Sequence, residues 1–277
     1  MQDIASPQRF NPEPFEVEST LPAGIAPGLG RPGAWRAPPP PPRCAEPAGQ
    51  GWGSALGLTE RHLSFTRRTV HAGDVVQLAG HEFACLMIIN SGAFKTVNRA
   101  ADGREQVIGL HFKGDWIGFD GIATGRCGCD AVAMDTGEIW SMRYGVLLAA
   151  AAAVPALMYA MHTAMSWQFA HDRDWRLAQS TLPADARVAD FVRCWAASLA
   201  ERGLRTDRFT LRMTRAEIGS YLGMTLETVS RSFGRLVRSG LIRFDDIGRR
   251  NIAIPSIDAL ADFIRSTLSP PEPRTLQ

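Results

Sequence analysis

The chain has 277 residues, 45% of them hydrophobic, so it can form two modest domains, and its formal charge of +2 is too small to name a partner. Five cysteines at irregular spacing do not form a disulfide framework, and the longest apolar stretch, residues 146–161, is too short and too interrupted by Pro155 to span a bilayer. The N-terminus has no basic start followed by an apolar run, so we expect a cytoplasmic protein without a membrane partner.

Residues 1–56 are rich in proline and carry 12 of the 18 prolines of the chain, including the run 38–42. Such a segment buries too little apolar surface to offset its ordering entropy. We therefore predict a disordered tail at 1–56 and a second, short one at 269–277. The polyproline run is compatible with a binding partner or with a simple extension.

Short apolar runs alternate with turn signals between residues 57 and 148. The apolar runs are 75–78, 85–89 and 106–110, and glycine- or asparagine-containing turns separate them at spacings of about ten residues. This spacing, without helical periods between the runs, favours an all-β barrel or roll.

A helix is predicted over residues 146–181, with Pro155 suited to a first helical turn. After Pro155, apolar side chains recur at three- and four-residue steps, at Leu157, Met158, Met161, Met165 and Phe169. Such an apolar stripe is stable only when other apolar side chains pack against it. It packs either on its own domain or on a second copy of itself, and the residues alone leave both possibilities open.

A second amphipathic helix at 184–202 leads into a predicted helix-turn-helix. Thr214 and Glu217 have the spacing of a capping box. In this motif the Thr hydroxyl accepts a backbone N–H of the first turn, and the Glu side chain reaches back to the capping residue. Gly223 suits the left-handed backbone of a tight turn, and Thr225 can cap the helix that follows.

The helix after Thr225 is predicted to read DNA. Its inner face is formed by Val229, Phe233, Leu236 and Val237, and its outer face by Glu227, Ser230, Arg231 and Arg235. Arg231 suits the two acceptors of a guanine edge, Glu227 can accept from an exocyclic amine, and Ser230 can meet a base or a phosphate.

Two short strands, 241–244 and 251–254, are predicted to form a wing with its tip at 245–250. Between residues 201 and 254 there are 11 arginines and 6 acidic residues, a local excess that fits either a phosphate-rich partner or an ordinary arginine-rich surface. Contacts with the DNA phosphates are predicted for Thr214, Thr225, Thr228, Arg235, Arg249 and Arg250.

Residues 62–266 resemble the CRP/FNR regulators, especially the FNR and FixK branches. The resemblance is carried by SGAFK at 91–95, by LHFKGDWIGFD at 110–120, and above all by LGMTLETVSR at 222–231. It implies an α+β fold with a cyclic-nucleotide-binding-like, cupin-like β-roll sensor domain at 57–148, a long dimerisation helix at 149–182 and a winged helix-turn-helix at 183–268.

The resemblance also implies partners. It favours a homodimer through residues 155–181, with Leu157, Met158, Met161, Met165, Phe169 and Asp172 at the interface. In the FNR branch an acidic residue at the position of Asp172 weakens pairing. In such a dimer two DNA-reading helices lie one DNA turn apart, which implies a palindromic double-stranded site. The Glu-x-x-Ser-Arg pattern implies half-sites of the TTGAT type. The surface formed by Asp120, Gly121, Thr124 and Gly125 is implied to contact RNA polymerase, as in activators.

The sequence departs from the family at its cofactor sites. Gly118 is followed by Phe119 and Arg126 by Cys127, where nucleotide-binding members have Gly-Glu and Arg-Ser or Arg-Thr pairs, so we expect no cAMP. Only Cys44 lies upstream of residue 57, so we expect no FNR-type iron–sulfur cluster. The six histidines have no metal-ligand spacing, so we expect no bound metal there either.

The Cys127-x-Cys129 pair has two interpretations. Its thiols are incidental residues of a turn, or, with Cys85 or His111, they bind metal or form a redox pair in a redox- or ligand-responsive sensor that controls DNA binding. No nucleophile–base pairing and no phosphate-binding loop is recognisable in the sequence. We therefore expect a regulator and not an enzyme.

Overall fold

A computed structural model of the chain describes residues 61–100, 103–200, 202–245, 247–248 and 250–268. The tails expected at 1–56 and 269–277 lie outside these residues, as does the wing residue Arg249.

The N-terminal half of the described chain is a roll of two four-stranded antiparallel sheets, with strand orders β1-β8-β3-β6 and β2-β7-β4-β5. The strands are Thr66–Val70 (β1), Val75–Gln77 (β2), Cys85–Ser91 (β3), Ala93–Arg99 (β4), Glu105–Phe112 (β5), Trp116–Ile117 (β6), Asp130–Ala133 (β7) and Gly137–Arg143 (β8). This confirms the predicted roll.

Strand β3 shows why the apolar run at 85–89 is continuous and does not alternate with polar residues. Successive side chains of a strand point to opposite faces. Met87 and Ile89 therefore lie between the two sheets, whereas Leu86 and Ile88 face the helices that follow the roll. A strand buried on both faces needs apolar residues at every position.

Two helices follow the roll, α1 at Tyr144–Ala153 and α2 at Pro155–Thr181. The segment expected to be one dimerisation helix at 149–182 is thus divided at Val154, whose φ of −128° and ψ of 86° are not helical. Pro155 causes the division, because a proline disfavours helical geometry in the residue before it and occupies the first helical position itself.

The C-terminal domain begins with α3 at Ala184–Ala200. It continues with β9 (Arg208–Thr210), α4 (Arg215–Leu222), α5 (Leu226–Arg238), β10 (Arg243–Phe244), β11 (Asn251–Ala253) and α6 (Ile257–Leu268). Strands β10, β11 and β9 form one antiparallel sheet, so the wing has a third strand that sequence reasoning missed. Helix α6 was also missed; Leu260 and Ile264 bury its inner face in the domain core.

The two domains share one hydrophobic core. The ring of Phe112 on β5 meets that of Trp195 on α3 edge-on, with 5.2 Å between the ring centres. Polar contacts surround this junction: the hydroxyl of Ser220 on α4 accepts the N–H of Val107 at 3.0 Å, and Arg202 pairs with Asp115 at 3.2 Å. The roll therefore supports the DNA-binding domain directly. No helix in the described part of the chain has the length and hydropathy of a membrane-spanning segment.

We expect Trp195→Ala to lower the free energy of unfolding by about 3–5 kcal/mol, because it leaves a cavity between Phe112, Phe191 and Phe209. Urea unfolding followed by circular dichroism measures this. Leu204→Ala is the control: Leu204 is 57% exposed, so its loss should change stability by no more than about 0.5 kcal/mol. Equal stability of the two variants would contradict a shared core.

Candidate nucleic-acid interface

The first helix of the helix-turn-helix, α4, begins with the predicted capping box. The Thr214 hydroxyl accepts the N–H of Glu217 at 3.2 Å, and the Glu217 carboxylate accepts the N–H of Thr214 at 2.7 Å. Glu217 also pairs with Lys95 on β4, so the cap is joined to the roll. Burial alone would raise the pKa of Glu217, but the hydrogen bonds from Lys95 and Thr214 lower it overall.

The turn between α4 and α5 requires glycine at two positions for different reasons. Gly223 has a φ of +66°, the left-handed conformation that was predicted. Gly219, inside α4, allows a close approach: a Cβ there would lie 2.6 Å from the carbonyl oxygen of Met224. The small residue at 219 thus sets how tightly the second helix packs against the first.

Helix α5 is capped by Thr225, whose hydroxyl accepts the N–H of Thr228 at 3.3 Å, as predicted. Its buried face contains Val229, Phe233, Leu236 and Ser232. Val237, which was expected on this face, is exposed, and the prediction for it was wrong. Ser232 is buried instead because its hydroxyl has a polar partner in Arg235 at 3.2 Å.

The three predicted base-reading side chains, Glu227, Ser230 and Arg231, are all exposed on one side of α5. Hydrogen bonds from its own backbone N–H and from the Thr225 hydroxyl lower the pKa of Glu227, and the charge of Arg231 acts in the same direction. The face therefore offers an ionised acceptor, a hydroxyl and a guanidinium.

Leu226 belongs to the same face and was missed in the sequence. It is the first residue of α5 and is 46% exposed. An apolar side chain beside the polar readers can contact the methyl group of thymine. The signal that could have identified it is its place directly after the capping residue, where a helix has no preceding turn to cover a side chain.

Arg235, predicted to contact phosphate, is already occupied by a protein partner. Its Nε and one terminal nitrogen each donate to a different oxygen of Asp185 on α3, both at 2.5 Å. As a correction to the prediction, Arg235 does not present an uncompensated charge to DNA. The sequence pattern of α5 could not predict this partner, because Asp185 lies 50 positions away in the chain.

The remaining predicted phosphate contacts are at cap and wing positions. Thr214, Thr225 and Thr228 lie at the N-terminal ends of α4 and α5, and their hydroxyls are engaged within the caps. In the wing, the side chain of Arg250 is exposed, while its carbonyl accepts the N–H of Leu211 at 2.8 Å. The contact predicted for Arg249 lies outside the described residues.

The predicted dimer interface on α2 divides into two groups. Leu157 and Met161 are buried against Leu86, Trp116 and other residues of their own roll, so their assignment to the interface is corrected. Met158 and Met165 are partly buried on the same cluster. Phe169 follows Met165 by one turn, is 67% exposed and lies outside that cluster, and burial raises the pKa of Asp172.

The surface implied to contact polymerase follows a 3₁₀ turn at Phe119–Gly121. Thr124 and Gly125 are exposed there, but Gly121 is buried and a Cβ on it would lie 2.6 Å from the Phe83 ring, so its assignment as a contact is corrected. Asp120 is exposed as a residue, yet its carboxylate accepts the N–H groups of Gly128 at 2.7 Å and Cys129 at 3.1 Å.

The same carboxylate controls the thiols of Cys127 and Cys129. Burial raises the pKa of both cysteines, and the charge of Asp120 raises them further. The Cys129 thiol also donates to Asp120 at 3.4 Å. Because the thiolate is the reactive form, these surroundings lower the thiolate fraction of both cysteines. No cluster of three or more potential metal ligands occurs among the described residues.

Together the roll, the helices and the winged domain define a two-domain DNA-binding protein. A family model of the Crp-like helix-turn-helix domain matches residues 186–263, and one of the cyclic nucleotide-binding domain matches residues 67–153.

Curated relatives extend the match to both domains. The chain is 33% identical over 201 residues to the fumarate and nitrate reduction regulatory protein of Escherichia coli K12, covering 73% of this chain and 79% of that protein. It is 34% identical over 197 residues to the corresponding Klebsiella oxytoca protein, covering 71% and 78%. Among solved structures, FixK2 from Bradyrhizobium japonicum has a TM-score of 0.63 at 24% identity and covers 72% of this chain and 97% of its own. The chain belongs to the CRP/FNR family of transcription regulators, which are DNA-binding proteins and not enzymes.

We expect Gly219→Ala to reduce stability by about 1–3 kcal/mol, because the new methyl group meets the Met224 carbonyl in the turn. DNA affinity should fall with it, since the clash displaces α5. Denaturant unfolding and fluorescence anisotropy with a labelled duplex measure the two effects.

Gly145→Ala is the matched control for Gly219→Ala. Gly145 lies in α1 with no atom within 4 Å of the added Cβ, so alanine should stabilise the protein by about 0.4–1 kcal/mol. Similar effects of the two substitutions would rule out the close approach at Gly219.

Proposed function

We propose that this regulator binds, as a homodimer, a palindromic DNA site with half-sites of the TTGAT type and activates transcription from it. The observation that carries the proposal is the exposed trio Glu227, Ser230 and Arg231 on a helix capped and buried on its opposite face. An α-helix fits the major groove, where a guanidinium can bind guanine bidentately and a carboxylate can accept from cytosine or adenine amines.

The homodimer is supported by the outer face of α2. Phe169 and Tyr159 are exposed on α2, and neither belongs to the cluster that contains Leu157 and Met161. A second copy of the helix would cover these rings. Asp172 would lie close to its own copy across the two-fold axis. Its carboxylate would then oppose pairing, so dimerisation would be weak enough to be regulated.

Activation is proposed from the exposed surface that includes Thr124 and Gly125, which corresponds to the polymerase-contacting surface in family activators. Asp120 would organise this surface by holding the N–H groups of Gly128 and Cys129. RNA polymerase and DNA are cytoplasmic partners in bacteria, and we propose the same compartment here.

We further propose that DNA binding requires neither a cyclic nucleotide nor an iron–sulfur cluster. In the roll, the N–H groups of Gly128 and Cys129 already bind a carboxylate, and the buried Gln77 side chain donates to the Cys129 carbonyl at 3.1 Å. A nucleotide phosphate at the same place would be repelled by Asp120. The raised pKa values of Cys127 and Cys129 favour a packing role for these thiols over a sensing one.

The experiment is a gel-shift titration of the purified protein on a TTGAT-type palindrome and on a scrambled duplex of the same composition. We expect the palindrome to bind more tightly, and neither cAMP nor a change between reductant and oxidant to alter the affinity. Arg231→Ala should cost about 1–3 kcal/mol per half-site and relax the preference at one base pair.

Arg250→Ala serves as the comparison, because a phosphate contact should weaken all DNA alike and reduce the salt slope by about 1 per half-site. Equal binding of the palindrome and the scrambled duplex would refute the proposed specificity. Equal losses on both duplexes for Arg231→Ala would refute its role as a base reader.

The dimer has a test of its own. Phe169→Glu places a charge on the proposed interface, so sedimentation should shift towards the 30.2 kDa monomer, and binding of the palindrome should weaken in parallel. Leu204→Glu introduces the same charge at another exposed apolar position and should leave the dimer intact. A Phe169→Glu protein that sediments like its parent would show that α2 pairs elsewhere or not at all.

A further inference from the structure

The ion pair between Asp185 and Arg235 joins the first turn of α3 to the last turn of α5. Both carboxylate oxygens are engaged, each at 2.5 Å, and the Ser232 hydroxyl accepts from the same guanidinium at 3.2 Å. This bidentate geometry fixes the direction of Arg235, because the planar guanidinium and the carboxylate align along two parallel bonds.

The pair lies at the edge of the DNA-reading face. Arg235 is four residues after Arg231 and eight after Glu227, and residues at these steps share one side of a helix. Its side chain keeps 43% of its exposure and that of Asp185 keeps 28%, so the pair remains at the surface. A basic residue at such a place would ordinarily be a phosphate contact.

We propose that Asp185 is a residue that limits affinity: it neutralises Arg235 and holds its guanidinium away from the DNA phosphates. This inference rests on the proposed function only in requiring that α5 faces DNA. The carboxylate is tethered within hydrogen-bond distance, whereas a phosphate has to be brought there by association, so the arginine stays with Asp185. The pair then adds no net charge to non-specific binding, whereas Arg231 stays on the exposed face of α5 beside Glu227.

Asp185→Asn tests the proposal because it removes the charge and keeps the size of the side chain. Each released Arg235 would neutralise one further phosphate. The slope of log K against log salt should therefore steepen by about 0.9 per protomer, or about 2 per dimer. Between 50 and 200 mM salt the variant should lose about tenfold more affinity than the parent, and at low salt it should bind a random duplex more tightly.

Two further variants separate this role from a merely structural one. Arg235→Gln leaves Asp185 uncompensated beside the phosphates, so random-duplex binding should weaken. If the ion pair had only a structural role, Asp185→Asn and Arg235→Gln would both weaken DNA binding, and neither would steepen the salt slope. That result would overturn the proposal. If Asp185→Asn does not fold, Asp185→Ser replaces it, because serine also suits the start of a helix. The same salt slope is expected for Asp185→Ser.

Asp262→Asn is the control for net charge, since Asp262 pairs with Arg265 on the exposed side of α6. It should leave the salt slope unchanged, and an equal change in both variants would overturn the proposal. The random-duplex measurement does not depend on the TTGAT preference. Loss of that preference would overturn only the proposed function, whereas an unchanged slope for Asp185→Asn beside an intact preference would overturn only the role of Asp185.

Discussion

The continuous core between the roll and the DNA-binding domain determines where the reading helix lies. Strand β5 contributes Phe112 to the same cluster as Trp195, and helix α4 is tied to the roll through Ser220 and Glu217. Because Gly219 lets α5 pack tightly on α4, the orientation of α5 follows from that of α4. Burial of this many aromatic rings stabilises the arrangement far more than the peripheral ion pairs, which are partly exposed.

In the roll, the loop that contains Gly128 and Cys129 is held by two side chains, those of Asp120 and Gln77. The N–H groups of Gly128 and Cys129 both point to the same carboxylate oxygen of Asp120. Asp120 supplies the acceptor, and Gln77 supplies a donor for the Cys129 carbonyl. These N–H and carbonyl groups of the loop therefore have their hydrogen-bond partners within the chain itself.

Features specified within a few residues could be predicted from the sequence, and features that depend on distant residues could not. The cap at Thr214, the turn at Gly223 and the exposure of Glu227, Ser230 and Arg231 follow from local hydrogen bonding and the helical repeat. The pairing of Arg235 with Asp185 spans 50 positions and leaves no local pattern. The apolar stripe on α2 likewise did not predict which of its residues contact the roll. A periodic pattern identifies a buried face but does not identify what covers it.

Helix α2 contacts the roll near its start and helix α4 near its end. Near its start, Leu157 and Met161 pack on the roll. Near its end, Trp175 stacks on Tyr221 of α4 with 4.0 Å between ring centres, and Gln179 donates to the Tyr221 carbonyl at 2.7 Å. A helix of 27 residues is about 40 Å long, so one continuous element joins the contacts on the roll to those on α4. Because the proposed dimer contacts lie on this same helix, the packing of α2 on the roll and on α4 would, in the proposed dimer, also determine the spacing of the two α5 helices.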